Sequence, residues 1–133
     1  VCSSDLLWYA LPSGRVLCYP FARFDEEGNI TYAKASWKPA ADAKEWPRAR
    51  LWRGLACENI TQAVANDLLR HSLARLEEEG LEVVLHVHDE IVLETADPDT
   101  AADALLRIMT TAPAWAQGLP LNAEVAVMTQ YGK

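Results

Sequence analysis

The residues with the clearest chemical potential are Asp89 and Glu90, two adjacent carboxylates within the apolar stretch VVLHVHDEIVLET at residues 83–95. Carboxylate oxygens suit Mg²⁺ or Mn²⁺, which bind through one or two protein carboxylates together with water and substrate phosphates. They suit zinc less, and His86 and His88 form no known zinc spacing with them. A two-metal site needs at least one carboxylate more than this stretch supplies. An acidic turn that only keeps a loop soluble is the structural alternative.

Two apolar runs enclose the carboxylate pair and are expected to position it. The runs LEVVLHVH, residues 81–88, and IVLET, residues 91–95, are typical of strands, which leaves only Asp89 and Glu90 between them. Two residues is the length of a tight hairpin loop, so we predict a β-hairpin with both carboxylates at its tip. Asp-Glu is unfavourable in such a loop, where Gly or Asn supplies positive φ, and this indicates selection for what the side chains do.

A long helix is expected before this hairpin, and a shorter helix and a strand after it. The first helix is predicted over Arg48–Glu79, with Pro47 at its first turn and Gly80 as its C-terminal stop. Asp97 opens a second helix that runs to Thr111. Alternation in LPLNAEVAVMTQYG, residues 119–132, predicts a final strand. The apolar residues of the first helix recur at helical spacing: Ile60, Val64, Leu68, Leu69, Leu73 and Leu76.

The N-terminal part is predicted to be β-structure. LLWYALPSGRVLCYPFARF, residues 6–24, is typical of strand, turn and strand, with the turn at Pro12, Ser13 and Gly14. FARFDEEGNITYAKASW, residues 21–37, repeats the pattern, with the bend at Glu27, Gly28 and Asn29. We expect the two hairpins to form one small antiparallel sheet, followed by the connector KPAADAKEWPRAR at residues 38–50. The predicted fold class is therefore α+β. The first six residues, VCSSDL, match the translation of a common sequencing adapter, and we expect residues 1–6 to be an artefact.

Composition sets limits on the class of protein. The 133 residues suit one domain, and 50% apolar with 23% charged residues is typical of a globular protein. No apolar run approaches the ~20 residues that span a bilayer, and no signal peptide opens the chain, so we expect a cytoplasmic protein with no membrane partner. Three cysteines without a CxxC pair predict neither a disulfide framework nor a zinc site: Cys2, Cys18 and Cys57.

The charge of the chain is unevenly distributed. A net charge of −7 argues against binding nucleic acid over the whole surface. A basic stretch nevertheless runs from Lys34 to Arg53, with only Asp42 and Glu45 against it. This stretch is compatible with an anionic ligand, and a solvated basic face is the alternative. Its members are Lys34, Lys38, Lys44, Arg48, Arg50 and Arg53.

Two motifs resemble those of a known family. HVHDEIVLE, residues 86–94, resembles the C motif of family A DNA polymerases, the DNA polymerase I type, whose hallmark is His-Asp-Glu in a β-hairpin turn. ENITQAVANDLL, residues 58–69, resembles the palm helix that precedes this hairpin in phage and prophage members. The order of helix, hairpin, helix and strand also matches. The resemblance covers residues 48–133 well and the LPSGR region more loosely. It implies hairpins and a connector at 7–47 and a single truncated palm domain at 48–133.

The resemblance assigns roles to the residues of the hairpin tip. It implies that Asp89 is the metal-binding aspartate of the palm and that Glu90 is its weaker acidic partner near the primer end. It implies that His88 contacts or positions the backbone of the primer terminus. The implied cofactor is Mg²⁺, two ions in the intact enzyme, with Mn²⁺ as a substitute.

The resemblance also assigns roles to the helix. It implies that Gln62 reads the minor-groove edge near the primer terminus, where a glutamine can donate to the acceptors that every base pair presents. Arg53, Glu58 and Asn59 are weaker matches, because LWRGLACEN departs from the usual family sequence before the glutamine. Helical spacing places Glu58 and Gln62 on one face.

Two family motifs do not occur in the chain. One is the upstream Asp-x-Ser-x-x-Glu motif with the other palm carboxylate, and the other is the nucleotide-binding fingers helix. We therefore expect a C-terminal palm fragment of a DNA-directed DNA polymerase that is inactive alone and works with the fingers, thumb and remaining palm of the same polypeptide. Its partners would be primer-template DNA and deoxynucleoside triphosphates. Two alternatives stay open: a non-catalytic module that binds nucleic acid or protein, and a metal-dependent phosphohydrolase.

Overall fold

The computed structural model describes residues 6–34 and 46–132. Within these residues the chain is α+β, with short antiparallel ladders and two helices, which confirms the predicted fold class. Parts of the sequence analysis lie outside the described residues, namely residues 1–5 of the adapter-like start at 1–6, with Cys2, and residues 35–45, with Lys38 and Lys44. No described helix combines the length and the apolar character needed to cross a membrane.

The chain forms two compact units, Val1–Val64 and Ala65–Lys133. The first contains the N-terminal strands and the beginning of the long helix. The second contains the rest of that helix, the carboxylate hairpin and the second helix. The division predicted at residues 47 and 48 stays a prediction.

The first predicted hairpin is present. Strands β1 (Leu6–Ala10) and β2 (Val16–Pro20) pair antiparallel along their whole length. The connecting turn is closed by the N–H of Leu11, which donates to the carbonyl of Arg15 at 2.7 Å. Gly14 has a φ of 86°, a conformation that glycine adopts without steric cost. The sequence signal at Pro-Ser-Gly was therefore sufficient to locate this turn.

The second predicted hairpin is also present, in a separate ladder. Strands β3 (Arg23–Phe24) and β4 (Ile30–Ala33) pair antiparallel, and β4 pairs with a further strand, β5 (Arg48–Arg50). The expectation that both hairpins form one sheet is wrong. Between the ladders, β2 ends at Pro20 and Phe21 follows with a φ of 51°, so the chain turns where a continuous strand would have run on.

Strand β5 corrects the predicted start of the long helix. Residues 48–50 were expected to be helical, but Arg48 pairs with Ala33 and Arg50 with Thr31 in the β4–β5 ladder. Pro47 precedes the strand instead of opening the helix, and its carbonyl accepts a hydrogen bond of 2.9 Å from the N–H of Lys34. Pairing across the connector therefore overrides the local helical tendency of this segment.

The turn between β3 and β4 is built around one aspartate. The Asp25 carboxylate accepts the backbone N–H of Glu27 at 3.0 Å and that of Asn29 at 2.8 Å, and it also accepts the Asn29 side-chain amide. The backbone N–H of Asn29 is the main cause that holds the pKa of Asp25 below its ordinary value. Gly28, with a φ of 80°, supplies the left-handed position of the turn.

Two tyrosines join the ladders of the first unit. The rings of Tyr19 on β2 and Tyr32 on β4 are both buried and pack edge to face, with centroids 5.1 Å apart. The guanidinium of Arg15 donates to the carbonyl of Ala63 at 3.0 Å, so the β1–β2 turn is attached to the helix. These contacts position the strands of this unit against the beginning of the long helix.

The long helix, α1 (Arg53–Glu78), begins later than predicted and ends one residue before the predicted Glu79. The N–H of Gly80 donates to the carbonyl of Glu77 at 3.0 Å, and that of Leu81 to Leu76 at 2.9 Å. Gly80 has a φ of 75°, so it ends the helix in the left-handed conformation that favours glycine. The stop predicted at Gly80 is confirmed.

The carboxylate hairpin consists of β6 (Val83–Val87) and β7 (Glu90–Leu93). Its register runs from Val83 opposite Leu93 to Val87 opposite Glu90, with a β-bulge between Val83 and Leu85. The hairpin contributes to the hydrophobic core of the second unit. That core consists of Leu69, Leu76, Ile91 and Ile108, with Leu73, Leu81, Val83, Leu93, Leu105 and Met109 packed against it.

The second helix, α2 (Pro98–Thr110), begins where the sequence predicted. The Asp97 carboxylate caps it by accepting the N–H of Thr100 at 3.3 Å. Hydrogen bonds from the Thr100 hydroxyl and N–H hold the pKa of Asp97 below its ordinary value. Arg107 of α2 forms an ion pair with Glu79, and its charge-assisted hydrogen bond lowers the pKa of that carboxyl.

The C-terminal segment also differs from its prediction as a strand. Residues 119–132 contain no strand, although Ala123 and Val125 are half-buried and their neighbours Asn122 and Glu124 are exposed. The alternation of half-buried and exposed residues indicates an extended segment that is covered on one face. A ladder additionally needs a partner edge, and no described strand pairs with this segment.

Candidate functional site

The hairpin tip is formed by His88 and Asp89. Because Val87 pairs with Glu90, these two residues are the loop, and Glu90 is the first residue of β7. The prediction that Asp89 and Glu90 form the loop is therefore wrong by one residue, although Asp89 lies at the tip as expected. The reason is that an apolar pattern indicates which residues are in the strands but not which pair closes the turn.

The left-handed position of this loop is occupied by His88. Its φ is 54°, a conformation that is uncommon outside glycine, although histidine adopts it more readily than most residues. Tight hairpin loops usually place Gly, Asn or Asp at such a position. The tip therefore carries a reactive side chain at some conformational cost, as functional sites often do.

The two carboxylates of the tip are in different states. Asp89 is exposed, and its side chain has no hydrogen bond or ion pair with another residue in the described part of the chain. Glu90 is also exposed, and its Oε2 accepts a hydrogen bond of 3.0 Å from the hydroxyl of Tyr131. Asp89 is thus available to an external ligand, whereas Glu90 is oriented by the C-terminal segment.

Tyr131 is the site residue that sequence reasoning missed. It lies 41 residues after Glu90, in a segment expected to be a strand. No spacing rule links two residues so far apart. Only the position of the segment in the folded chain brings the hydroxyl to the carboxylate.

The tip has the right donors for a hard divalent cation but too few of them. Asp89 and Glu90 offer carboxylate oxygens, the ligands preferred by Mg²⁺ and Mn²⁺. Across residues 6–34 and 46–132, no three His, Cys, Asp or Glu side chains are grouped closely enough to hold a metal ion. The pair therefore fits a cation only together with phosphate, water or a further carboxylate. His86 and His88 are exposed on the same hairpin.

A second group of predicted site residues lies on α1. The amide of Gln62 donates to the Glu58 carboxylate at 3.2 Å, which confirms that the two share one helix face. Both side chains are exposed. Because Gln62 uses its N–H₂ group for Glu58 only in part, it keeps both donor and acceptor capacity toward a ligand.

Asn59 and Arg53 complete this group. The Asn59 side-chain amide donates to the hydroxyl of the buried Tyr19 at 3.1 Å, so it also attaches α1 to β2. Arg53 is exposed at the first residue of α1. The structure thus brings Glu58 and Gln62 together in the first unit, and His88, Asp89, Glu90 and Tyr131 together in the second.

Comparison with known proteins shows one informative similarity. Over 130 residues, 98% of this chain, the sequence is 35% identical to the DNA polymerase of Bacillus phage SP02. The chain is similar to part of a phage DNA polymerase. It spans 20% of the length of that relative.

The other comparisons were negative. No protein-family model matches the chain, and no solved structure matches it. The similarity to the phage polymerase extends through the N-terminal ladders as well as the hairpin, because it covers nearly the whole chain. The strands before α1 are therefore part of the region shared with that polymerase.

Proposed function

We propose that this chain is the C-terminal palm part of a family A DNA polymerase of phage or prophage type. The intact enzyme would add nucleotides to a primer 3′-hydroxyl under the direction of a template, in the cytoplasm of a bacterial or phage-infected cell. The observation that carries the proposal is the similarity to the phage SP02 DNA polymerase along 98% of the chain. The exposed His88-Asp89 tip and the family motifs around it support the finer assignment.

In this proposal Asp89 is the principal metal ligand. Its carboxylate is exposed and has no partner among the described residues, so it can bind a cation without breaking an internal contact. Glu90 contributes a second, weaker acidic group that is oriented by Tyr131. Two Mg²⁺ ions, when bound, would supply activation of the primer hydroxyl and stabilisation of the leaving pyrophosphate. His88 would hold the primer-terminal backbone beside this pair.

The polar face of α1 would contact the primer-template duplex. Gln62 would donate to minor-groove acceptors, which all base pairs present, so that correctly paired ends of any sequence are accepted. Glu58 orients the Gln62 amide through its hydrogen bond. Arg53 and Asn59 would contribute contacts to the sugar-phosphate backbone.

The chain alone is proposed to be inactive. It offers two adjacent carboxylates, and the described residues bring no third ligand to them. It also spans only 20% of the phage polymerase. We infer that fingers, thumb and remaining palm of the same polypeptide supply the second palm carboxylate and the nucleotide-binding groups.

A chimera tests this function. The matching segment of the phage SP02 polymerase is replaced by this chain, and primer extension is measured in Mg²⁺ with a primed template. We expect extension by the chimera and a loss of about 10³-fold or more with Asp89→Asn, because the amide cannot replace a charged metal ligand. Asp103→Asn, the same change at an exposed carboxylate on α2, is the matched control and should extend normally.

Two results would oppose the proposal. One is an Asp89→Asn chimera that extends primers as fast as the parent. The other is a parent chimera that folds and binds duplex DNA but adds no nucleotide. Metal-dependent release of phosphate from phosphate esters by the chain alone would instead favour the phosphohydrolase, and binding without either reaction would favour a non-catalytic module.

A further inference from the structure

The three-stranded β3–β4–β5 sheet carries a row of arginines on one face. Arg23 of β3 lies opposite Thr31 of β4, and Thr31 lies opposite Arg50 of β5. Directly opposed residues of antiparallel strands project from the same face, and so does Arg48, two residues before Arg50. All three arginines are exposed. We call these residues, Arg23, Arg48 and Arg50, the arginine face.

One arginine of this face is fixed in place without losing its charge. The Arg48 guanidinium donates to the carbonyls of Phe21 at 2.9 Å and Thr31 at 2.8 Å, and to the Thr31 hydroxyl. These acceptors are neutral, so they orient the group and leave its positive charge uncompensated. Arg48 is therefore a positively charged group that is held in a fixed orientation on this face.

The other two arginines are free of competing carboxylates. Neither Arg23 nor Arg50 makes an ion pair or a side-chain hydrogen bond within the described residues. Arg50 helps to lower the pKa of Asp25, but that carboxylate already accepts hydrogen bonds from the backbone N–H groups of Glu27 and Asn29. The guanidinium groups are consequently available to an external anion.

The geometry favours an extended polyanion over a single small anion. Neighbouring strands lie about 4.8 Å apart, so the outer strands that carry Arg23 and Arg50 are separated by about 10 Å. Guanidinium groups on them would contact separate phosphates, each through a planar fork of N–H donors. The chain as a whole has a net charge of −7, so this face is a local exception to an acidic surface.

We propose that the arginine face binds the phosphodiester backbone of duplex DNA. The site is distinct from the α1 residues and the hairpin tip, and none of its members belongs to the motifs that suggested the function. The inference deepens the proposed function and rests on it for the identity of the polyanion. Phosphate contacts of this kind hold a duplex in register and carry no sequence information.

The test uses the full 133-residue chain with Arg23 and Arg50 both changed to Gln. Arg48 is left intact because its hydrogen bonds stabilise the sheet. Binding of a fluorescent duplex of about 20 base pairs, two helical turns, is measured by anisotropy from about 50 to 200 mM salt. Two lost phosphate contacts should lower the slope of log K against log salt by about 2. The ratio of the parent chain's affinity to the double variant's affinity should therefore fall about tenfold between the lowest and the highest salt concentration.

A matched control separates a local contact from net charge. Arg70→Glu changes the net charge by the same two units at an exposed residue of α1 in the second unit, and it should leave the salt slope unchanged. Equal slopes for the parent and the double variant, or an equal loss in Arg70→Glu, would overturn the arginine face as a binding site. So would a double variant that loses binding to anionic lipid vesicles while it keeps its binding to the duplex. Circular dichroism melting checks that each variant is folded.

The two proposals can fail separately. A chain that binds duplex DNA through the arginine face, with a chimera that folds but adds no nucleotide, contradicts the polymerase and leaves the DNA-binding face. An active chimera, together with equal salt slopes for the parent chain and the double variant, supports the polymerase and contradicts the DNA-binding face.

Discussion

Two hairpin turns in this molecule contain an aspartate, and they use it in opposite ways. Asp25 in the β3–β4 turn accepts two backbone N–H groups and a side-chain amide from within its own turn. Asp89 in the β6–β7 turn has no such bond among the described residues. The first turn stabilises itself, with Gly28 at its left-handed position, whereas the second has His88 there. The second turn lacks both the internal hydrogen bonds to its aspartate and the glycine at the left-handed position, so contacts outside the turn must stabilise it. Its carboxylate is left available for a ligand.

Packing below the tip holds the second turn, and its removal should have the largest effect on stability. Ile91, 9% exposed and part of the core of the second unit, lies two residues after Asp89. We expect Ile91→Ala to lower the free energy of unfolding by about 2–4 kcal/mol, because it leaves a cavity under the hairpin. Ile30→Ala, in the half-buried first residue of β4, should cost clearly less. Urea denaturation followed by far-ultraviolet circular dichroism gives both values, and equal losses would contradict the contrast.

Substitutions at the left-handed positions of the two turns should change the free energy of unfolding in opposite directions. Gly28→Ala should destabilise by about 1 kcal/mol, since φ is 80° and no atom lies within 4 Å of an added Cβ, so only backbone strain acts. His88→Gly should be neutral or stabilise by up to about 1 kcal/mol, because it relieves strain at the tip. The same denaturation experiment measures both. A clear loss of stability in His88→Gly would mean that the histidine is held by contacts that outweigh its strain.

The smallest expected effect separates the two aspartates by pH. The folded state lowers the pKa of Asp25, so the ionised carboxylate is stabilising. This contribution is complete above the ordinary value near 3.9 and is lost as pH falls through the lowered pKa. The melting temperature of Asp25→Ala should therefore lie a few degrees below that of the parent at neutral pH and approach it on acidification. Asp89→Ala should have the same melting temperature as the parent at neutral pH. A melting temperature lowered as much as that of Asp25→Ala would show that the two aspartates do not differ in their contribution to stability.

Local signals in the sequence were enough for much of the fold. Gly14, Gly28 and Gly80 each mark a place where the chain needs positive φ, and each ended or turned an element where expected. The helix start at Asp97 was also predicted correctly, and Leu69, Leu73 and Leu76 of the apolar series predicted on α1 belong to the core of the second unit. These features depend on residues close together in the chain, for which steric and hydrogen-bonding rules are sufficient.

The features that were missed depend on partners far along the chain. Strand β5 forms because β4 offers an edge, not because Arg-Ala-Arg favours a strand. The C-terminal alternation was visible, but no described strand pairs with it. The Tyr131–Glu90 hydrogen bond joins residues 41 apart. The row of Arg23, Thr31 and Arg50 likewise exists only through the strand register. At the candidate site, the apolar pattern placed Asp89 at a hairpin tip, and only the structure shows that Glu90 is the carboxylate that accepts a hydrogen bond from Tyr131.

The β-bulge in β6 has a consequence for how this hairpin tolerates insertions and deletions. Val83 and His86 lie opposite Leu93 and Ile91, which both belong to the core side of β7, although Val83 and His86 are three positions apart along the chain. An unbroken pleat would bring every second residue to that side, so the bulge at Val84 sets the phase of everything beyond it. Without Val84, the residues Leu85, His86 and Val87 would still lie opposite Val92, Ile91 and Glu90, so loss of that single codon would remove the bulge and leave the Asp89 tip on its present face. A second single-residue deletion in β6 would have no bulge to absorb it and would transfer each later side chain to the other face, because side chains alternate along a strand.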